Sequence, residues 1–328
     1  MSETSGNGSD ILCVLSSNEW DRSAEGLVGA GRLLSDKTGG KLIAVTLGEW
    51  QDSALKQLGA RCHQVRVGQT QVSVSGGIES MLDYLVKLAE EIQPASILFG
   101  NGTVEEEISP RLAFRLGGSS IGDAQALTIS NNRIQVTRSV YGGKATAVME
   151  LQKSPAVVWI RSRAFPPAGP LPQSGSFETT VIQETSPESI ELLQHHEDAS
   201  EGVSLEEATM IVSGGRGLGG PEPFEDLKAL AATIGAEMAA SRAACDAGWV
   251  PHSWQVGQTG KKVTPELYLA VAMSGSSQHM MGITDARNIA AVNTDPDAPI
   301  FKHCRFGIVE DYRNVIGPLT EKLKSRKK

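Results

Sequence analysis

The chain has 328 residues, a formal net charge of -8 and 40% hydrophobic residues. This length is sufficient for two domains with their own cores, and the acidic balance argues against a nucleic-acid-binding protein. No apolar run is long enough to cross a bilayer, and residues 1–10 lack the basic and apolar regions of a secretory signal. The four cysteines form no CxxC pair, so we predict no metal site. We expect a cytoplasmic protein without membrane insertion or a nucleic-acid partner.

Short apolar strands alternate with amphipathic helices in the first half of the chain. Strands are predicted at Ile11–Ser16, Lys41–Gly48, 62–67 and 96–100, with helices between them. This alternation is typical of a parallel sheet with helices on both faces. Residues 133–151 then predict a hairpin that turns at Gly142-Gly143, and a further strand is predicted at 156–162. Together they indicate an antiparallel appendage to the first domain.

The composition changes between residue 166 and about residue 208. Proline and glycine are frequent at first, and the following residues are polar and acidic. We therefore predict an N-terminal α/β domain at 1–193 that contacts a partner, a linker at 194–206, and a C-terminal domain at 207–328. In the second half, strands are predicted at 208–215, 268–275, 288–295 and 306–311, with helices at 222–235, 276–282 and 315–328. Both domains are thus predicted to be doubly wound.

Gly215, Gly217 and Gly220 match the pattern G-x-G-x-x-G between a predicted strand and a predicted helix. Such glycines allow backbone N–H groups to approach a pyrophosphate, but glycine-rich turns of this kind are also common without a ligand. The nicotinamide fingerprint fails in one respect, because Ser241 and Arg242 follow the next strand where an acidic residue is expected. The motif alone leaves phosphate binding open.

Polar residues or glycines follow each predicted strand of the second half. Ligands of doubly wound sheets bind outside the carboxyl ends of the strands. Because this rim contains Arg242 and His279, we expect a large anionic ligand with several parts. Ser276 is expected to cap the short helix that carries His279. The rim consists of Gly214–Gly217, Ser241, Arg242, Ser274–His279, Asn293 and Asp311.

Six segments of the second half occur in an order and at spacings found in one flavoprotein family: VSGGRGL, SRAACDAGWVP, QVGQTGK, PELYLAVAMSGSSQHMMG, AVNTDPDAPIF and GIVED. With them the chain resembles the alpha subunit of the electron-transfer flavoproteins, and the first half is similar through SPRLAFRLG and TRSVYGGKATAV. The resemblance implies an α/β fold with two doubly wound domains, the C-terminal one binding FAD. It also implies an electron carrier without a substrate of its own, because a flavin supplies its own redox chemistry.

The resemblance further implies roles for individual residues. Arg242 would lie against the isoalloxazine ring, the Thr259 hydroxyl near flavin N5, and His279 at the N1–C2 carbonyl end. The ring would also contact Val256, Gly257 and Gln258. The ribityl and pyrophosphate region would contact Arg216, Ser241, Ser274 and Gln278. The adenosine end would contact Asn293 and Asp311. The full expected FAD-binding set is Arg216, Ser241, Arg242, Val256, Gly257, Gln258, Thr259, Ser274, Gly275, Ser276, Ser277, Gln278, His279, Asn293, Asp311 and Tyr312.

Other interpretations stay open at this point. Arg242 is also placed to pair with Glu237 or Asp246, and His279 fits a core histidine with satisfied hydrogen bonds.

The resemblance implies an electron-transfer flavoprotein beta subunit, flavoprotein dehydrogenases and a quinone oxidoreductase as partners. The alternatives are a pyridine-nucleotide-binding, transhydrogenase-like enzyme that uses the Gly215–Gly220 turn, and an interaction subunit without a flavin.

Overall fold

The computed structural model describes residues 8–16, 19–70, 77–131, 133–141, 143, 145–161, 163–182 and 205–326. The chain forms two compact units. The first comprises Met1–Ser139 with Thr146–Glu197, and the second Val140–Ala145 with Asp198–Lys328. The predicted linker at 194–206 lies outside the described residues except for Leu205 and Glu206, so the predicted domain boundaries stay a prediction.

Seven parallel strands form the central sheet of the first unit. The elements in chain order are β1 (Ile11–Leu15), α1 (Arg22–Thr38), β2 (Leu42–Leu47), α2 (Asp52–Gly59), β3 (Gln64–Thr70), α3 (Ile78–Ile92), β4 (Ser96–Phe99), α4 (Thr103–Arg115), β5 (Ser119–Ala124), β6 (Ala126–Ser130), β7 (Arg133–Val140), β8 (Ala145–Glu150), β9 (Ala156–Ile160) and β10 (Ser176–Ile182). The sheet order is β10-β3-β2-β1-β4-β9-β5, and β6, β7 and β8 form a separate three-stranded sheet.

Side chains of the central strands alternate between two apolar cores. Ile11 and Cys13 of β1 face one core with α1, whereas Leu12 and Val14 face the other with α3 and α4. A sheet that is covered on both faces requires nearly continuous apolar strands, as β1 and β2 provide. The predicted α/β sheet of the first half is therefore confirmed.

The strand predicted at 156–162 has a different place from the one expected. We expected it in the antiparallel appendage, but β9 pairs in parallel with both β4 and β5. Four of its five residues, including Val157 and Val158, are buried, which is typical of an interior strand of a parallel sheet. The antiparallel appendage consists of β6, β7 and β8. Strands β5, β6 and β10 were not expected from the sequence.

Five parallel strands form the sheet of the second unit. The elements are β11 (Met210–Gly214), α5 (Pro223–Ile234), β12 (Glu237–Ala240), α6 (Arg242–Asp246), β13 (Leu267–Val271), α7 (Ser277–Met280), β14 (Ile289–Asn293), β15 (Phe306–Val309) and α8 (Tyr312–Arg326). The order β12-β11-β13-β14-β15 places β11 and β13 next to each other, with β12 on the outer side of β11 and with β14 and β15 on the outer side of β13. The carboxyl ends of all five strands therefore meet at one edge, with a topological switch point between β11 and β13.

The two faces of this sheet are covered differently. Helices α5 and α8 pack on one face through Leu227, Leu230 and Ile316. The other face is covered by short segments that contribute Val256, Ile283 and similar apolar residues. Within the part of the chain that the structure describes, no helix combines the length and apolarity needed to cross a lipid bilayer.

A buried ion pair joins β5 to the residue after β9. Arg161 donates from Nε to Asp123 Oδ1 at 2.7 Å and from a terminal nitrogen to Oδ2 at 2.6 Å. Both residues are buried, and Asp123 adopts a left-handed backbone conformation with φ 63° beside the bulge of β5. A bidentate pair of this kind satisfies both charges away from water.

We expect Arg161→Leu to lower the free energy of unfolding by about 3–5 kcal/mol, because it leaves the Asp123 carboxylate buried without its partner. Arg133→Leu, which removes an exposed partner of Glu150, is the control and should cost about 1 kcal/mol or less. Urea unfolding followed by circular dichroism measures both. The double variant Asp123→Asn/Arg161→Leu should recover part of the loss, and equal losses in both single variants would contradict the buried charge.

Candidate functional site

A cavity of about 940 Å³ lies at the carboxyl edge of the five-stranded sheet. The turns that follow all five strands contribute to its wall, together with residues 255–259. Fifteen of the sixteen expected FAD-binding residues line it, and Ser277, the first residue of α7, does not. These fifteen residues are spread over a stretch of 97 positions, from Arg216 to Tyr312, and the fold brings them together around one cavity.

The glycine turn after β11 serves the fold directly. The N–H of Gly215 donates to the Val271 carbonyl at 2.9 Å, and the N–H of Gly217 donates to the Ala272 carbonyl at 3.0 Å. A Cβ at Gly217 would lie 2.7 Å from that carbonyl oxygen, and one at Gly215 would also collide with it. Two of the N–H groups that the G-x-G-x-x-G motif offered to a phosphate are thus used to join β11 to β13. Close backbone approach explains these glycines without a phosphate.

The segment 255–260 is attached to the sheet and to α7 by backbone hydrogen bonds. The N–H of Val256 donates to Ala240 at 3.0 Å, and that of Gln258 donates to Gln278 at 2.8 Å. The Gln255 side chain donates to the Thr259 hydroxyl at 3.0 Å. The run 241–263 has no sustained periodicity, but it contains α6 and a 3-10 turn at His252–Trp254, and parts of it, including 255–259, form the cavity wall.

Arg242 forms an ion pair with Asp246 one helical turn further along α6, with Nε 3.2 Å from Oδ2. Both side chains are more than half exposed and both line the cavity. Arg242 therefore does pair with Asp246, as the alternative interpretation expected, but its positive charge still lies at the cavity. An exposed pair contributes about 1 kcal/mol or less, so an anionic ligand group is able to compete for Arg242.

His279 is buried in the cavity wall, with 6% of its surface exposed. Its Nε2 is 3.0 Å from the hydroxyl of the fully buried Tyr268. Among the described residues, its Nδ1 has no hydrogen-bond partner of normal geometry. Burial lowers the pKa of His279 to about 4, and the backbone of Val256 opposes that shift more weakly. The imidazole is therefore neutral at pH 7 and only half satisfied, which differs from a fully satisfied core histidine.

The serines of the rim differ in their bonding. The hydroxyl of Ser241 is buried and, within the described part of the chain, makes no hydrogen bond. Ser276 is the residue before α7, but its side chain makes no capping hydrogen bond, so the expected cap is wrong. Because α7 has only one turn, the backbone bond from Met280 N–H to the Ser276 carbonyl closes it without a side-chain cap. Both serines line the cavity.

The residues at the far end of the cavity also hold the fold together. Asn293 donates from Nδ2 to the Met273 carbonyl at 2.9 Å and accepts from the Asp295 N–H at 3.0 Å. Asp311 accepts from the N–H of Arg313 in the first turn of α8 at 3.0 Å, and Tyr312 donates to the Leu218 carbonyl at 3.1 Å. These contacts fix the turns after β11, β13, β14 and β15 relative to one another.

Charge is distributed unevenly along the cavity. Arg216 and Arg242 follow β11 and β12, whereas carboxylates gather after β14 and β15. Several charged or polar lining residues were not among the expected set, although each lies within one to four places of an expected FAD-binding residue. They are Asp246, Gln255, Thr294, Asp295, Glu310 and Arg313. Such a cavity suits an elongated ligand that is anionic over part of its length and offers hydrogen-bond donors at the other end.

The comparisons with known proteins agree with this arrangement. Residues 204–284 match the electron transfer flavoprotein FAD-binding domain, and residues 16–188 match the electron transfer flavoprotein domain. The chain is 36% identical over 310 residues to an electron transfer flavoprotein subunit alpha of Thermoanaerobacterium thermosaccharolyticum, covering 92% of this chain and 93% of that protein. It is 34% identical over 301 residues to the protein of the same name from Bacillus subtilis, covering 90% and 91% respectively. A third, from Mycobacterium leprae, is 35% identical over 313 residues, covering 93% and 94%.

Gly275 tests the geometry of the cavity wall. Its φ is 76°, and a Cβ there would lie 2.6 Å from Ile300 backbone atoms. We expect Gly275→Ala to destabilise the second unit by about 2–5 kcal/mol, through backbone strain plus overpacking. Gly219→Ala is the matched control, because φ is 85° but the space is open, and it should cost about 1–2 kcal/mol. Urea unfolding compares the two, and equal losses would contradict the close approach of Ile300.

Proposed function

The chain belongs to the alpha-subunit family of the electron transfer flavoproteins, and we propose that its cavity holds FAD while the protein carries electrons from flavoprotein dehydrogenases to a quinone oxidoreductase. The family match supports a redox carrier with an FAD-binding domain. The single structural observation that carries the proposal is the cavity at the switch point of the five-stranded sheet, which contains fifteen residues of the expected set.

The cavity fits FAD in size and in its polar groups. Its volume of about 940 Å³ is near the upper end of the range for ligand pockets, roughly 300–1,000 Å³. Ser241 Oγ and His279 Nδ1 are buried polar atoms without partners among the described residues, and ligand atoms would satisfy them. The lining also contains three arginines, Arg216, Arg242 and Arg313, and Arg216 provides charge for the diphosphate.

We assign the residues as follows. FAD supplies the electron-accepting chemistry when bound. Arg242 provides a mobile positive charge that favours added negative charge on the ligand, and His279 provides a neutral hydrogen-bonding group in a fixed place. Arg216 and Ser241 bind the diphosphate region, while the carboxylates after β14 and β15 accept hydrogen bonds from the adenosine end. Gly257, Gln258 and Thr259 shape the wall beside Arg242.

A second subunit is part of the proposal. The curated relatives are named as alpha subunits, which supports a heterodimer with a beta subunit. Adjacent residues Val148 and Met149 of β8 are both exposed, so apolar side chains remain on both faces of the appendage. Burial of these side chains against a beta subunit would remove them from water. We also propose the cytoplasm as its location, since all four cysteines are unpaired, as is usual in a reducing compartment.

We expect the protein co-expressed with its beta subunit to elute from size-exclusion chromatography as a heterodimer with flavin absorbance. Heat denaturation should release FAD and no FMN, because the cavity has polar groups for both ends of a dinucleotide. The chain expressed alone should be poorly soluble or depleted of flavin. An intact heterodimer that releases FMN, a pyridine nucleotide or no cofactor would contradict the proposed function.

Arg242 is expected to control the reduction potential of the bound flavin. Arg242→Gln should lower the midpoint potential of the first one-electron reduction by roughly 60–130 mV, because a charge-assisted contact contributes about 1.5–3 kcal/mol. Arg287→Gln is the control, since Arg287 also pairs with a carboxylate, Glu266, and is exposed outside the cavity. Spectroelectrochemical titration measures both variants. An unchanged potential at full flavin occupancy would show that Arg242 does not act on the flavin.

A further inference from the structure

Tyr268 is a fully buried phenol in the middle of the five-stranded sheet. It lies on β13, opposite Ile211 of β11 and Ile289 of β14, and belongs to the apolar core on that face. A buried phenol needs a hydrogen-bond partner for its hydroxyl. That partner is Nε2 of His279 at 3.0 Å, and the two rings are tilted by 56° with their centroids 5.9 Å apart. The strand core is thus connected to the cavity wall through one hydrogen bond.

The ionisation of the pair determines how many protons it holds. Burial raises the pKa of Tyr268 and lowers that of His279 to about 4. At neutral pH the phenol therefore keeps its proton and the imidazole carries one N–H. Either the phenol donates to Nε2 and the imidazole proton is on Nδ1, or Nε2–H donates to the phenol oxygen and Nδ1 has no proton.

The surroundings favour the first arrangement. Val256 acts on the imidazole through its backbone so as to raise the pKa of His279, which is the effect of a nearby carbonyl oxygen. Such an acceptor favours a protonated ring nitrogen. Among the described residues none bonds to Nδ1 with normal geometry, so a proton on Nδ1 stays available to a ligand. Ser213 acts on the phenol so as to lower the pKa of Tyr268, which is the effect of a hydroxyl that donates to the phenol oxygen. The phenol proton is then left for Nε2.

We propose that Tyr268 is a positioning residue that fixes the orientation and tautomer of His279. Its hydroxyl donates to Nε2, so His279 carries its proton on Nδ1 and presents the cavity with a neutral N–H donor. A donor that is already oriented stabilises negative charge on a ligand without reorganisation and without a charge of its own. Only the consequence for FAD rests on the proposed function. The tautomer itself is a property of this chain.

The tautomer is measured by ¹⁵N NMR on the purified protein labelled at histidine, with His279→Gln to assign the signals among the six histidines. In the unsubstituted protein we expect an unprotonated shift for Nε2 and a protonated shift for Nδ1 of His279. Tyr268→Phe should move both shifts toward the averaged values of an unconstrained imidazole. Tyr84→Phe is the control, because it removes a hydroxyl from a partly buried tyrosine of the first unit and should change neither shift. A protonated Nε2 in the unsubstituted protein would overturn the proposal.

The dissociation constant of FAD gives the second readout. Tyr268→Phe should raise it about 2- to 12-fold, which corresponds to the loss of one hydrogen bond. In the His279→Gln background, Tyr268→Phe should have no further effect, because Tyr268 acts through His279. Independent, additive effects of the two substitutions would show that Tyr268 has only a structural role. If the protein binds no FAD, the proposed function fails while the NMR result still decides the tautomer.

Discussion

The two hydrogen bonds from the N–H groups of Gly215 and Gly217 to the carbonyls of Val271 and Ala272 determine the shape of the site. They join the carboxyl ends of β11 and β13, the two strands on either side of the switch point. Ala272 adopts a left-handed conformation, with φ 53°, as β13 leaves the sheet. A non-glycine residue in that conformation is strained, and the surrounding hydrogen bonds hold it there. The chain after it is thereby directed toward the cavity.

The polar groups of the cavity differ in how firmly they are held. Arg242 and its partner Asp246 are exposed on a helix of five residues, so they are free to adjust to a ligand. His279 is buried and bonded to Tyr268, so its ring is fixed by the core. A redox carrier benefits from both properties, because a fixed donor lowers reorganisation on electron transfer whereas an adjustable cation compensates added charge. The physical difference between these two groups is burial.

The first unit has the same layered construction, but its described polar contacts are arranged for stability. Asp123 and Arg161 satisfy each other beside the bulge of β5. Arg66, which is also nearly buried, pairs with Glu91 and Glu178 across β3, α3 and β10. These pairs connect edge strands to the sheet and to its covering helices.

Local patterns in the sequence were sufficient for the fold class and for most of the rim. Parallel strands must bring their carboxyl ends to one edge, so the polar residues after β11 to β15 were predictable from strand order in the chain. The sequence did not determine where β9 pairs, since an apolar strand suits an antiparallel appendage or a parallel interior equally well. It also did not show that the glycine N–H groups are used within the sheet, or that Tyr268 bonds to His279 rather than only filling the core. Those outcomes depend on contacts between residues distant in sequence, which only the tertiary structure decides.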